Sequence, residues 1–303
     1  MNLPTNPPPT RQRVYRDANR AAGWGLGANL LLAVVKLGGG ALTGSAALIA
    51  DAFNSLGDIA SAWALRGALH VAQQDEDEEH PYGHSKAESI AGLSIALLVT
   101  FSAAMLAMET FRRLGVVTHP PPILAALVAL FCAGIKEGLY QYTRRISQQL
   151  DSTSLQAIAW DHRSDALASG AIAAALFLAP HAGPAAAYID QLAAIVVCLF
   201  LIGIGFRLFA RTAGELMDQQ AGETLTISVR ETAGEIAGVA DVEKLRVRKS
   251  GLEFFAEIHV QVDGQMTVSE GHRIGHLVKD AIMEKHPRVR DVHVHIEPHD
   301  ETP

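Results

Sequence analysis

The sequence predicts an all-α membrane domain with six transmembrane helices, followed by a cytoplasmic α+β domain. The second domain has the element order αββαβ, which is typical of ferredoxin-like or metallochaperone-like folds. Of the 303 residues, 49% are hydrophobic, and the mean hydropathy is positive at +0.17. Apolar segments long enough to cross a bilayer recur up to about residue 209, and from about residue 219 charged residues return. This composition fits a membrane protein with an attached soluble part better than a soluble enzyme.

Six apolar segments each approach the roughly 20 residues that a helix needs to span a bilayer. They cover residues 21–43, 46–72, 87–111, 122–143, 154–179 and 187–209. Six spans place both termini on one side, together with the basic N-terminal arm (1–20), Arg144, Arg145 and Arg207. The positive-inside rule makes that side cytoplasmic, although Arg112 and Arg113 fall at the opposite end. We therefore expect a transmembrane domain over 21–211, in contact with lipid in the cell (inner) membrane.

The remaining residues, 219–303, predict a small α+β domain. A helix is expected over 224–237, a strand over 242–248, a second strand over 252–263, a helix over 268–285 and a final strand over 289–297. The second strand is the clearest, because apolar and polar residues alternate along it. A domain of this size is near the lower limit for independent stability, so dimerisation or bound metal should stabilise it.

Two function classes are not supported by the sequence. The net charge is −7 and there is no basic stripe with interleaved aromatics, so nucleic acid is not an expected partner. No His-Glu-x-x-His or Gly-x-Ser-x-Gly motif occurs, so we do not expect an enzyme.

Two Asx-x-x-x-Asp pairs lie inside apolar segments: Asn54 with Asp58 in the second, and Asp161 with Asp165 in the fifth. Residues four apart share a helix face, so each pair directs two oxygen ligands the same way. A carboxylate at membrane depth costs on the order of 3 kcal/mol. A divalent cation between the two helices would recover that cost. The alternative is a polar network that joins two helices, with Asp165 paired to a cation such as Arg163.

The predicted ligand set contains three carboxylates and one amide oxygen. His162 is about 100° around the helix from Asp161 and should point elsewhere. Oxygen-only sets favour hard ions, so the set indicates Mn²⁺ rather than Zn²⁺. Protons and metal compete for clustered carboxylates, which predicts metal–proton antiport. The other ionisable residues within the spans are expected to form inter-helix ion pairs: Lys36, Glu109, Lys136 and Glu137.

Two further clusters could bind metal. Asp77, His80 and His84 lie between the second and third segments, either as a site or as an acidic loop that attracts cations. In the C-terminal domain, His293, His295 and Glu297 share a strand face by period-2 spacing. His259 lies on the polar face of another strand and His272 near the start of a helix; the alternative is solvent-facing polar positions.

The six spans, the two acidic pairs, the αββαβ domain and the run His80-Pro-Tyr-Gly-His84-Ser-Lys-Ala-Glu88 together resemble the cation diffusion facilitator family. The resemblance covers about residues 14–298. It implies a homodimer that exports divalent metal from the cytoplasm by proton exchange, with residues 219–303 as a cytoplasmic regulatory and dimerisation domain. Zinc-transporting members place His first in the fifth-span pair, whereas this chain has Asp161. The set Asn-Asp and Asp-Asp resembles the manganese-exporting branch.

The resemblance also implies roles for residues outside the membrane pairs. Asp77, His80 and His84 match the family's loop site. The positions of a cytoplasmic metal site, for Zn²⁺ or another divalent ion, match His259, His272, His295, Glu297 and, in an altered form, Glu243. Lys86 and Asp218 match a charge interlock between protomers.

The sequence thus predicts a manganese exporter working by proton antiport. The first alternative is an exporter of broader specificity, for Zn²⁺, Fe²⁺, Co²⁺ or Cd²⁺. The second is a membrane-anchored metal sensor that does not transport.

Overall fold

The structure is a computed structural model that describes residues 11–43, 46–112, 123–178 and 183–299. Within these ranges, six long helices precede the C-terminal elements. They are α1 (Arg11–Thr43), α2 (Ala46–Ala72), α3 (Lys86–Arg112), α4 (Ile123–Leu150), α5 (Thr153–Leu178) and α6 (Gly183–Leu216). The chain divides into two compact units, one of residues 17–213 and one of residues 1–16 with 214–303.

Several of these helices are longer than the apolar segments that predict them. Helix α1 begins at Arg11 rather than near residue 21, and α4 continues to Leu150 rather than 143. Hydropathy marks only the part of a helix that matches the bilayer, whereas backbone hydrogen bonding continues into polar residues at either end.

The helical unit carries apolar side chains on its surface and polar ones inside. Trp63 and Phe101 are 73% and 65% exposed, whereas Lys36, Lys136 and His162 are buried. That pattern suits lipid outside and a polar interior. Among the described residues, two helices are long and apolar enough to cross a membrane by length and composition, over 11–42 and 86–112. Helix α5 packs against α4, α3 and α2.

The second unit has the order α7 (Glu223–Gly234), β1 (Asp241–Ser250), β2 (Glu253–Asp263), α8 (Val268–Lys285) and β3 (Val289–His299). Strand β2 is central, antiparallel to β1 and parallel to β3. Its alternation places one face in the core, where these side chains are buried: Phe254, Ala256, Ile258, Val260 and Val262. A capping box formed by Thr267 and Glu270 begins α8.

Candidate metal centre

Three carboxylates meet in the interior of the helical unit. Asp58 comes from α2, and Asp161 and Asp165 come from α5. One carboxylate oxygen from each lies within 4.8 Å of the others. Oxygens at that separation can share one ion, since bonds to hard divalent cations are about 2.0–2.6 Å long. Asn54 lies on α2 four residues before Asp58, but its side chain is outside the described part of the chain.

A lysine from a third helix reaches the same carboxylates. The Nζ atom of Lys136, on α4, lies 2.8 Å from Asp58 Oδ2 and 2.6 Å from Asp165 Oδ2, and the side chain is fully buried. Arg163 pairs with Glu137, whereas Lys136 pairs with Asp165. The ion pairs expected of Lys136 and Glu137 therefore occur, but that of Lys136 is made with the acidic cluster itself.

His162 is not part of this cluster and lies beside α1. A β-carbon placed on Gly25 of α1 would lie 3.3 Å from its Nε2 atom. The ring is buried, and neither ring nitrogen has a hydrogen-bond partner among the described residues.

A buried carboxylate at the start of α3 holds the start of α5. The Oε1 atom of Glu88 accepts hydrogen bonds from Ser152 Oγ at 2.7 Å, Ser154 N at 3.2 Å and Ser154 Oγ. Ser152 Oγ also accepts from Leu155 N at 3.1 Å, as an N-cap residue does. Glu88 thus fixes the end of the helix that carries Asp161.

The loop residues Asp77, His80 and His84 come together, with one ligand atom of each within 4.8 Å of the others. Asp77 Oδ1 is 3.2 Å from His80 Nδ1, and Asp77 Oδ2 is 3.4 Å from His84 Nε2. The backbone N–H of His80 donates to Asp77 at 2.6 Å, and this bond lowers the pKa of Asp77 below its ordinary value. Gly83 makes the turn with a φ of 75°.

The third group lies on the sheet of the C-terminal unit. In the parallel register, His259 of β2 is opposite His295 of β3, and Gln261 is opposite Glu297. His259 Nδ1 is 2.6 Å from Glu297 Oε1, and His295 Nε2 is 3.6 Å from the same oxygen. Two hydrogen bonds lower the pKa of Glu297 below its ordinary value: one with Glu243, which has the larger effect, and one with His259. The group can therefore offer two imidazoles and an ionised carboxylate to a borderline metal.

The remaining predicted ligands lie apart from these three or at their edge. His272 contacts His276 on the next turn of α8, with the two Nε2 atoms 3.2 Å apart, and is not part of the His259 group. His293 shares a face with His295 but is also outside the group. Glu243 lies where the β1–β2 register shifts, and it accepts a hydrogen bond from Gln261 at 3.1 Å.

Lys86 and Asp218 are the residues expected to form a charge interlock between protomers. Asp218 pairs with Arg248 at 3.1 Å within the C-terminal unit. Lys86 is the first residue of α3.

Sequence reasoning missed the placement of Lys136 and Glu88. The available signal was a basic residue at spanning depth for the first, and an acidic residue directly before an apolar run for the second. Neither signal identifies the residues that Lys136 or Glu88 contacts, because those residues belong to other helices or to their ends.

An apolar-surfaced helical unit with an internal acidic cluster, followed by a domain that can ligate metal, defines a membrane protein that handles metal cations. A family model for the cation efflux transmembrane domain matches residues 24–217, and one for the cation efflux protein cytoplasmic domain matches residues 223–299. The chain belongs to the cation efflux family, also called the cation diffusion facilitators. It is accordingly a membrane-integral metal efflux transporter and not an enzyme.

Relatives in this family come from plants and bacteria. Metal tolerance protein 2 of Oryza sativa subsp. japonica is 32% identical over 299 residues, covering 90% of this chain and 76% of that protein. Magnetosome protein MamM of Magnetospirillum gryphiswaldense is 31% identical, covering 92% and 88%. Manganese efflux system protein MneS of Bacillus subtilis is 29% identical, covering 90% and 93%.

A solved structure of the C-terminal domain of MamM matches 26% of this chain and 95% of its own, with 29% identity and a TM-score of 0.26.

Proposed function

We propose that the protein exports Mn²⁺ from the cytoplasm in exchange for protons, across the cell membrane and through a domain of six transmembrane helices. The metal is held by Asn54, Asp58, Asp161 and Asp165. The observation that carries this proposal is the meeting of three carboxylates from two helices within 4.8 Å. Both termini are cytoplasmic in the proposed orientation.

The choice of manganese rests on ligand chemistry. Oxygen-only sets suit Mg²⁺, Ca²⁺ and Mn²⁺, whereas imidazole suits Zn²⁺, Cu²⁺ and Ni²⁺. The buried imidazole nearest in sequence, His162, has its Nε2 atom beside Gly25 and is not part of the carboxylate cluster. Two Bacillus subtilis relatives, MneS and MneP, are named as manganese efflux proteins, which supports the same metal here.

The exchange with protons follows from competition for the same oxygens. A metal ion and protons cannot occupy one carboxylate lone pair together, so metal entry displaces protons and proton entry displaces metal. Protons arriving from outside the cell then drive release there, and alternating access carries the emptied site back to the cytoplasm.

The C-terminal unit is proposed to form a homodimer and to sense cytoplasmic metal. His259, His295 and Glu297 would bind the ion, with Glu243 and His272 as additional ligands proposed from the family pattern. Asp77, His80 and His84 would collect cations at the loop. Lys86 and Asp218 are proposed to link protomers near the membrane surface.

The test is uptake of Mn²⁺ and Zn²⁺ by proteoliposomes under a set pH gradient, with proton flux recorded in parallel. Wild type is compared with Asp165→Asn, which removes one carboxylate of the cluster. The matched control is Asp151→Asn, since Asp151 pairs with Arg211 at 2.5 Å in the same unit and lies outside the cluster. We expect Mn²⁺ flux opposed by protons, lost in Asp165→Asn and kept in Asp151→Asn. Mn²⁺ flux without opposed proton flux would contradict antiport.

An exporter of broader specificity is the second candidate, favoured by relatives whose names record metal tolerance without naming a metal. Asp161→His separates the two. Under the manganese proposal it creates Zn²⁺ transport at the expense of Mn²⁺, and under the broader one Zn²⁺ transport is already present in wild type. Deletion of residues 219–303 tests the sensor alternative. A transporter keeps some Mn²⁺ flux after this deletion, whereas a membrane-anchored sensor shows no Mn²⁺ flux.

A further inference from the structure

Lys136 occupies an unusual position for a buried lysine. It reaches from α4 to contact Asp58 of α2 and Asp165 of α5, at 2.8 and 2.6 Å. Both carboxylates belong to the proposed metal site, so one side chain ties together three helices at the point where the ion would bind.

We propose that Lys136 is a tethered counter-cation that competes with the transported metal for Asp58 and Asp165, and so limits metal affinity and promotes release. This inference rests on the proposed export function. An ammonium at hydrogen-bond distance uses the same carboxylate lone pairs that a metal requires. The metal must therefore displace Lys136 from at least one carboxylate in order to bind.

Charge gives a second reason. With its members in their ordinary ionised forms, the cluster of three aspartates and one lysine carries a formal charge of −2, which one divalent ion balances. Without the lysine, the formal charge is −3, and a divalent ion is held by a stronger field in a medium that screens charge poorly. A site that binds its ion too strongly releases it slowly, so a resident positive charge favours turnover.

A purely structural role makes the opposite prediction for metal binding. If Lys136 only joins helices, its removal leaves two buried carboxylates without their partner and disorders the site. Metal affinity then falls. The sign of the change in affinity therefore separates the two roles.

The experiment measures Mn²⁺ binding to the full-length protein in lipid nanodiscs, by the electron paramagnetic resonance signal of free Mn²⁺. Binding that disappears in Asp165→Asn defines the transport site and separates it from the loop and C-terminal groups. We expect Lys136→Met to bind Mn²⁺ at that site at least ~10-fold more tightly, as removal of a unit charge at this range permits. Turnover in proteoliposomes should fall in the same variant.

Two further variants keep the test decisive. Lys36→Met removes another buried lysine, which donates to Ser55 Oγ at 3.1 Å, and we expect a smaller change in affinity than Lys136→Met gives. Lys136→Arg retains the charge in a two-pronged group that holds carboxylates more firmly, so Mn²⁺ affinity should fall. If Lys136→Met does not fold, Lys136→Arg still tests the proposal, because unchanged or tighter Mn²⁺ binding by that variant would overturn the inference.

Unchanged or weaker Mn²⁺ binding by folded Lys136→Met would overturn the inference, as would unchanged or tighter binding by Lys136→Arg. These outcomes are distinct from failure of the export proposal. If wild type moves no Mn²⁺ but Lys136→Met still binds it more tightly, export is wrong and the counter-cation role stands. If wild type transports Mn²⁺ and Lys136→Met binds it no better, export stands and the counter-cation role is wrong.

Discussion

Replacing Glu88 with leucine should destabilise the helical unit and reduce transport together. Glu88 is fully buried, and its Oε1 atom accepts hydrogen bonds from both Ser152 and Ser154, including the backbone N–H of Ser154. Leucine has a similar size but no acceptor. Each buried donor left unsatisfied costs about 1–3 kcal/mol, so three lost contacts cost about 3 kcal/mol even at the lower end. The N-terminus of α5 also loses its acidic neighbour, which the helix dipole favours.

The glutamine variant tests whether the acceptor accounts for this loss. Glu88→Gln keeps one carbonyl oxygen for all three donors. Its amide nitrogen would take the place of Oε2, which has no hydrogen-bond partner among the described residues. An unsatisfied amide there costs about 1 kcal/mol, so Glu88→Gln should be the milder change by about 2 kcal/mol.

The assay is thermal unfolding of the purified full-length protein in detergent, with Mn²⁺ uptake by proteoliposomes measured alongside. Asp161 lies seven residues after Ser154 on α5, about 10 Å along the helix at 1.5 Å per residue. Movement of the helix end should therefore disturb the metal cluster. The matched control is Glu109→Leu, an exposed carboxylate on the same helix. If Glu88→Leu is as stable and active as Glu109→Leu, the assigned role of Glu88 is wrong.

Three further changes test separate parts of the molecule. A β-carbon at Gly92 would lie 3.1 Å from the backbone of Ser154, so Gly92→Val should force α3 from α5 and cost about 1–3 kcal/mol in thermal stability, with Ala milder. Gly238 has a φ of 97°, so Gly238→Ala should lower the stability of the C-terminal unit by about 1–2 kcal/mol, seen as faster hydrogen exchange in its sheet. His259→Ala should remove a divalent metal from the C-terminal group, measured by metal content after dialysis. The pKa of Glu297 is lowered, so the His259–Glu297 contact should be fully present above the ordinary pKa of a carboxyl group. It should be lost as the pH falls through the lowered pKa of Glu297. A pH titration of metal binding and of amide hydrogen-exchange rates can follow this loss.

Patterns along one element carried most of what the sequence could predict. The alternation of β2 predicted its buried face, and the i, i+4 spacing of Asp161 and Asp165 placed both carboxylates on one side of α5. These relations follow from the geometry of a single helix or strand. The strand pair His259 and His295 was also accessible in part, because both residues lie on polar faces, although only the parallel register shows that they are neighbours.

The contacts that the sequence did not predict are contacts between different helices or strands. Nothing in the order of residues indicates that Lys136 of α4 bridges Asp58 and Asp165, because that contact depends on how three helices pack. A periodicity argument assigns a residue to a face, but the partner across that face depends on packing.

Two buried acidic systems in the described part of the helical unit are balanced in different ways, and this difference follows from what each must do. Glu88 is held by neutral donors, which satisfy its oxygen without another charge and fix α3 to α5. The aspartate cluster is held instead by Lys136, whose charge is carried on a stem of four methylene groups. Hydroxyls and backbone N–H groups are neutral donors, so a cluster satisfied by them would not exchange its partner for a metal ion. A cluster balanced by a tethered ammonium can exchange one cation for another at little electrostatic cost, and that exchange is the elementary step that a cation transporter requires.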